Sequence, residues 1–206
     1  MRRVKFLIPV VAAAALFSVP AANADLVGGV LGGVTQVVLP TCGTPSQAFR
    51  NVDGDTNSYY GFANNGFEGG ASGWTLSGGA YVGYGNEPWY VNGFGSHSLV
   101  LPPGASASSP GFCINLLDPT VRMFARGTNG GDLNIQGVFH GLLGNTTGIL
   151  NRSDEAGAGA WDATDPCASL LALPLGTAYA TIKLTSASGT FNVDDAEVDP
   201  WVVGVG

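Results

Sequence analysis

Leu133-Asn134-Ile135-Gln136-Gly137-Val138-Phe139-His140 decides the fold. Leu133, Ile135, Gly137 and Phe139 take turns with Asn134, Gln136, Val138 and His140, a period of two. Successive side chains of an extended chain point to opposite faces, so this period predicts a strand with one face inward. Ala178-Tyr179-Ala180-Thr181-Ile182-Lys183-Leu184 repeats the pattern downstream, with Lys183 facing solvent. Upstream, Val121-Arg122-Met123-Phe124-Ala125-Arg126 is strand-like between Asp118-Pro119 and the Gly127–Gly131 stretch. Ser98-Leu99-Val100-Leu101 stops at Pro102-Pro103-Gly104, Phe112 to Leu116 is a short apolar run, and Phe191 to Val198 closes the series. Strands recurring between turn residues predict an all-β sandwich or barrel.

One helix is expected. Asp165 caps it, Pro166 suits its first position, and Cys167 to Leu173 favour helix before Pro174. Residues 141–159 are rich in glycine and polar residues and are read as loop. Their two sequons, at Asn145 and Asn151, are read as incidental. Asp53-Gly54-Asp55-Thr56-Asn57 starts like a calcium loop, but Ser58 and Asn64 stand where a glycine and an acid belong, so it is read as a polar turn.

The N-terminus reads as an export signal. Arg2, Arg3 and Lys5 precede an apolar run from Phe6 to Val19, and Ala22-Asn23-Ala24 offers a cleavage site. The run is short of the roughly 20 residues that span a bilayer. A secreted or cell-surface chain of 182 residues with no membrane span is expected after cleavage. A glycine-rich apolar lead, residues 25–41, precedes a domain at 42–201 and a tail at 202–206. Five basic residues against fifteen acidic ones give the mature chain a formal net charge of −10, which argues against nucleic-acid partners.

Cys42, Cys113 and Cys167 leave one thiol over. Cys42–Cys113 is the favoured pair, because it ties the lead to a strand; such a closure stabilises by about 4 kcal/mol in the chain-entropy picture. Catalytic motifs are thin. The chain has no G-x-S-x-G elbow, and its only histidines are His97 and His140, so no enzyme is expected.

Two motifs at the domain's ends carry a resemblance: Asn65-Gly66-Phe67-Glu68 with Gly73-Trp74, and Phe191-Asn192-Val193-Asp194-Asp195-Ala196-Glu197-Val198. Together they resemble galactose-binding-like jelly rolls, the fold of many secreted carbohydrate-binding modules. The resemblance implies an antiparallel jelly-roll sandwich over about residues 64–199, with the two ends paired as neighbouring strands. It also implies a structural calcium between them, on Glu68, Asp194 and Asp195, with Asp195 favoured over Asp194. Residues 73–80, 86–88, 101–104 and 198–200 are similar, as a set, to uncharacterised secreted proteins of actinobacteria.

Aromatic rings stack on the C–H faces of sugars while amides and carboxylates hold hydroxyls. Tyr81, Tyr84, Asn86, Glu87, Trp89 and Tyr90 are therefore the candidate ligand-binding residues, for a polysaccharide or cell-surface glycan. Alternation puts Trp89 and Tyr90 on opposite faces, and Trp74 reads as core. The function expected is non-catalytic, lectin-like carbohydrate binding. The alternative is a structural or adhesive envelope protein that associates through its lead and Cys167.

Overall fold

The computed structural model describes residues 39–40, 43–113, 120–128, 131–154, 159–165 and 175–199. Among these, eleven strands form two antiparallel sheets. In chain order they are β1 (Tyr60–Gly61), β2 (Thr75–Ser77), β3 (Tyr81–Tyr84), β4 (His97–Leu101), β5 (Ser106–Ser108), β6 (Thr120–Thr128), β7 (Leu133–Gly141), β8 (Thr146–Asp154), β9 (Asp162–Ala163), β10 (Thr177–Ser186) and β11 (Thr190–Asp199). One sheet runs β3-β4-β11-β6-β9, with β1 also paired to β11; the other runs β2-β5-β10-β7-β8. This is a jelly-roll sandwich.

The period-two strands do what their patterns dictate. Leu133, Ile135 and Phe139 of β7 and Ala180, Ile182 and Leu184 of β10 point into the space between the sheets. They meet Leu99, Leu101, Met123, Ala125, Phe191 and Val193 from the facing sheet. Each fully buried Leu, Ile or Phe there contributes about 1.5–3 kcal/mol relative to leaving it in water. Trp74 joins this core beside Phe62 and Phe67, its ring 5.0 Å from that of Phe67.

A second, smaller core lies on the outer face of the six-stranded sheet. Phe49 and Tyr59 cover Phe124 of β6, and Trp89 stacks on the same ring at 5.2 Å. β6 is consequently buried on both faces along most of its length. Arg122 fixes this covering segment: it reaches Asp53 (2.5 Å), Asp55 (2.8 Å) and the Thr164 carbonyl (2.9 Å), and its guanidinium lies over the Phe49 ring. The polar turn expected at 53–57 is thus an anchor, with Asp53 accepting from the Asp55 amide and Asp55 from the Asn57 amide.

The loop expected over 141–159 is corrected. Gly144 turns with φ of +78°, and Thr146–Asp154 returns along β7 as a nine-residue strand. Among the described residues its neighbours are all on one side, so it is an edge strand, where polar Thr and Asn cost little and its β-branched residues favour extension. The body of the expected helix, residues 166–173, the export signal, Cys42, Cys167 and the tail lie outside the described residues.

Candidate functional site

The two terminal motifs meet. Tyr60 and Gly61 pair with Val198 and Glu197, the Phe62 amide donates to the Ala196 carbonyl, and Asn65 Nδ2 donates to Glu197 Oε1 at 2.9 Å. The meeting point is irregular. The β11–β6 register slips between Asp194 and Glu197, and Asp195 takes a φ of +43°. Asn64, Phe67 and Tyr90 also have positive φ, so the four such non-glycine residues described flank one place. A bulky residue in that region costs of order 1–3 kcal/mol and persists only where its surroundings impose it.

The bulge gathers acids. Glu87, Asp194, Asp195 and Glu197 are all buried. Asp194 accepts from the amides of Glu87 (3.1 Å) and Asp195 (3.0 Å). Asn92 Nδ2 bridges Asp195 (2.9 Å) and Glu197 (3.4 Å). Glu197 Oε2 is buried without a hydrogen-bond partner. No basic side chain among the described residues pairs with any of the four. Burial, then the charge of Asp195, pushes Asp194 up to about 8. Burial raises Asp195 to about 7 against the Asn92 hydrogen bond, and burial with the Asp195 charge raises Glu197 to about 8.

These residues fit a hard cation in part. Calcium takes six to eight oxygens, mixing carboxylates with backbone carbonyls and water. Asp194, Asp195 and Glu197 supply buried oxygens with no basic partner among the described residues, and a Cβ on Gly66 would sit 2.8 Å from Asp195 Oδ1, so a side chain at 66 would have to displace that carboxylate. Glu68 does not join them. Its carboxylate accepts from the amides of Ser96 (2.6 Å) and His97 (2.7 Å) and meets His97 Nδ1 at 3.1 Å. Some desolvation opposes ionisation, but those hydrogen bonds hold Glu68 down at about 2. Among the described residues no group of three His, Cys, Asp or Glu side chains is placed to hold a metal ion, so a cation here would need most of its oxygens from backbone and water.

The β3–β4 connection, residues 85–96, carries the exposed aromatics. Tyr84 is 86% exposed and stacks on His97 with ring centres 5.0 Å apart. Phe94 is 96% exposed and lies 5.4 Å from the Tyr90 ring. Glu68 braces this hairpin through Ser96 and His97, so the His97 ring under Tyr84 is fixed from below.

The six expected ligand residues divide. Tyr84 and Tyr90 share the hairpin, with Asn86 beside them, its amide donating to the Glu87 carbonyl. Tyr81 is exposed on β3. Glu87 is corrected: it is 0% exposed, and it accepts from the amides of Trp89 and Val91, so it caps its own loop and offers nothing to a surface ligand. Trp89 is half-buried in the second core. Phe94, His97 and Glu68 belong to the hairpin surface and were not among the expected ligand residues. An exposed Phe in a glycine-rich turn (Gly93-Phe94-Gly95) was the available signal.

No family model and no curated protein matches the chain. Solved structures do. The enzymatically active domain of tailspike protein 4 from bacteriophage CBA120 aligns over 67% of this chain and 21% of its own, at 17% identity and a TM-score of 0.52. The CBM22-1–GH10 modules of a Clostridium thermocellum endo-1,4-beta-D-xylanase align over 68% of this chain and 28% of theirs, at 15% identity and a TM-score of 0.49. The CBM22-1 xylan-binding domain from Paenibacillus barcinonensis aligns over 66% of this chain and 90% of its own, at 16% identity and a TM-score of 0.46. The chain spans about a fifth of the tailspike chain and somewhat over a quarter of the xylanase modules. At such identities the likeness is one of fold, and the class it defines is the jelly-roll sandwich.

Proposed function

We propose that this chain is a secreted, non-catalytic carbohydrate-binding module whose sugar stacks on the β3–β4 hairpin. The observation that carries the reading is the pair of almost bare rings, Tyr84 and Phe94. Flat apolar rings with nearby amides suit pyranose faces. Tyr90 extends the surface, and Asn86 and the Glu68–His97 pair supply polar contacts at its rim. In this reading calcium binds at Asp194, Asp195 and Glu197, takes further oxygens from backbone or water, and holds the two domain ends together.

Affinity electrophoresis against a panel of plant and bacterial polysaccharides tests the reading. Tyr84→Ala and Phe94→Ala are each expected to weaken retention about tenfold, as loss of one stacked ring should. Melting should move by no more than 2–3 °C, since neither ring is buried. Retention unchanged in both variants would remove the hairpin from the site.

A second reading has its own observation. Leu142 and Leu143, in the β7–β8 turn, and Leu175 are exposed, the last at 100%, and the Thr177–Gly141 register brings them to one end of the five-stranded sheet. Such a patch suits self-association of an envelope protein. Sedimentation velocity is expected to show an oligomer that Leu143→Ser with Leu175→Ser dissolves, if this reading holds; a monomer at every concentration would discard it.

A further inference from the structure

The outer face of the six-stranded sheet holds a second arrangement, away from the hairpin tip. Register places Tyr81 of β3 opposite Val100 of β4, Val100 opposite Asn192 of β11, and Asn192 opposite Arg126 of β6. Directly paired residues share a face, so the four make a row across the sheet. The row spans about 14 Å at the usual strand separation. Its two ends are aromatic: Tyr81 is exposed at one, and Trp161 stands beside Arg126 at the other, the guanidinium 5.2 Å from the indole centre.

Arg126 is the anomaly. Its Nη2 donates to Asn192 Oδ1 at 3.2 Å, and Asn192 in turn donates to Ser98 Oγ at 3.1 Å. Its Nε is buried with no hydrogen-bond partner, and no carboxylate among the described residues pairs with it. Arg122, four residues away on the same face, shows the contrast, with two carboxylates and a carbonyl. A half-buried guanidinium left uncompensated is costly, and a planar guanidinium matches a carboxylate better than any neutral acceptor. Gly85 borders the spot: a Cβ on it would lie 3.5 Å from Ser98 Oγ and 3.8 Å from Arg126 Nη2.

We propose that Arg126, framed by Trp161, Asn192 and Ser98, is a subsite for the carboxylate of a uronic-acid residue, with Tyr81 stacking a sugar further along the same chain. The sugar part rests on the carbohydrate reading above; the charge part rests on Arg126. In a molecule this acidic, one half-buried cation would attract a polyanion poorly at long range. The selectivity is therefore local, set by one desolvated guanidinium between an indole ring and an amide.

The test is calorimetric titration of the full chain, with indole fluorescence as a second readout, using glucuronic and galacturonic acid oligomers, matched neutral oligomers and sodium acetate. Acidic oligomers are expected to bind at least tenfold tighter than neutral ones, with a change in Trp emission. Arg126→Gln should abolish the preference, Arg126→Lys should retain part of it, and Trp161→Phe should remove the fluorescence change. Tyr84→Ala should leave the acidic preference intact, which separates this subsite from the hairpin. Failure of neutral polysaccharides alone would sink the hairpin reading and leave this one standing. Equal binding of acidic and neutral oligomers, or an undiminished preference in Arg126→Gln, would overturn the subsite. Acetate competing as well as the oligomers would reduce it to a simple anion site and overturn the sugar assignment.

Discussion

Calcium added to the EDTA-treated protein at pH 8 should raise its melting temperature by roughly 5–10 °C. A ligand at a hundredfold excess over its dissociation constant stabilises the folded state by about 2.7 kcal/mol, and about 2–4 °C accompanies each kcal/mol in a domain of this size. The cation would act on Asp194, Asp195 and Glu197, buried acids with no basic partner among the described residues and one orphaned oxygen, Glu197 Oε2. Its absence has a pH signature of known sign. The three carboxyls titrate near 8, 7 and 8 when folded, well above the ordinary values of 3.8 and 4.5. Between those limits the folded state holds protons that the unfolded state has released, so stability in EDTA falls as pH rises from about 4 towards 8. Calcium, competing with those protons, should flatten the slope. Asp195→Asn and Glu197→Gln should each lose the calcium response, whereas Glu68→Gln should keep it, because Glu68 is occupied by Ser96 and His97. A melting curve indifferent to calcium at pH 8 would discard the cation.

Arg122→Met should cost roughly 3–5 kcal/mol, the usual penalty for removing one partner of a buried ion pair. The side chain is nearly buried, at 4% exposure, and three acceptors depend on it: Asp53, Asp55 and the Thr164 carbonyl. Methionine would keep some packing on Phe49 but leave the Asp55 carboxylate and that carbonyl without their partner. Melting should drop by about 10 °C or more, and limited proteolysis should cut first within residues 44–60, the segment Arg122 pins over Phe124. Arg50→Met, on the exposed side of the same segment, should stay within about 0.5 kcal/mol. Equal stability of the two variants would show that the aromatic contacts of Phe49 and Tyr59 hold the segment unaided.

What was legible in the sequence is what short-range pattern encodes. The alternation in 133–140 and 178–184 places β7 and β10 correctly because one face of each strand meets the core and the other does not. The two terminal motifs predicted their own meeting, and Asn65 does reach Glu197. β8 escaped because an edge strand needs no apolar alternation. The roles of Glu87 and Arg122 escaped for a different reason: each is set by residues far away in the chain. Glu87 reads as a surface acid until Asp194, 107 residues on, is found holding its amide. Arg122 reads as one more residue of a strand until the 53–57 turn, 67 to 69 residues back, closes on it. The exposed pair Tyr84 and Phe94 lay within the aromatic-rich stretch, but which rings would face out depends on the turn at Tyr90, whose positive φ no period reports.

The most direct measurement of the central claim is a glycan array probed with the intact chain beside its Tyr84→Ala, Phe94→Ala double variant. The account predicts retention on a defined polysaccharide class by the parent chain and its loss in the double variant, with both proteins showing the same β-sheet circular dichroism. No glycan retained by the parent chain, with its sheet structure intact and calcium present, would contradict the carbohydrate-binding function outright.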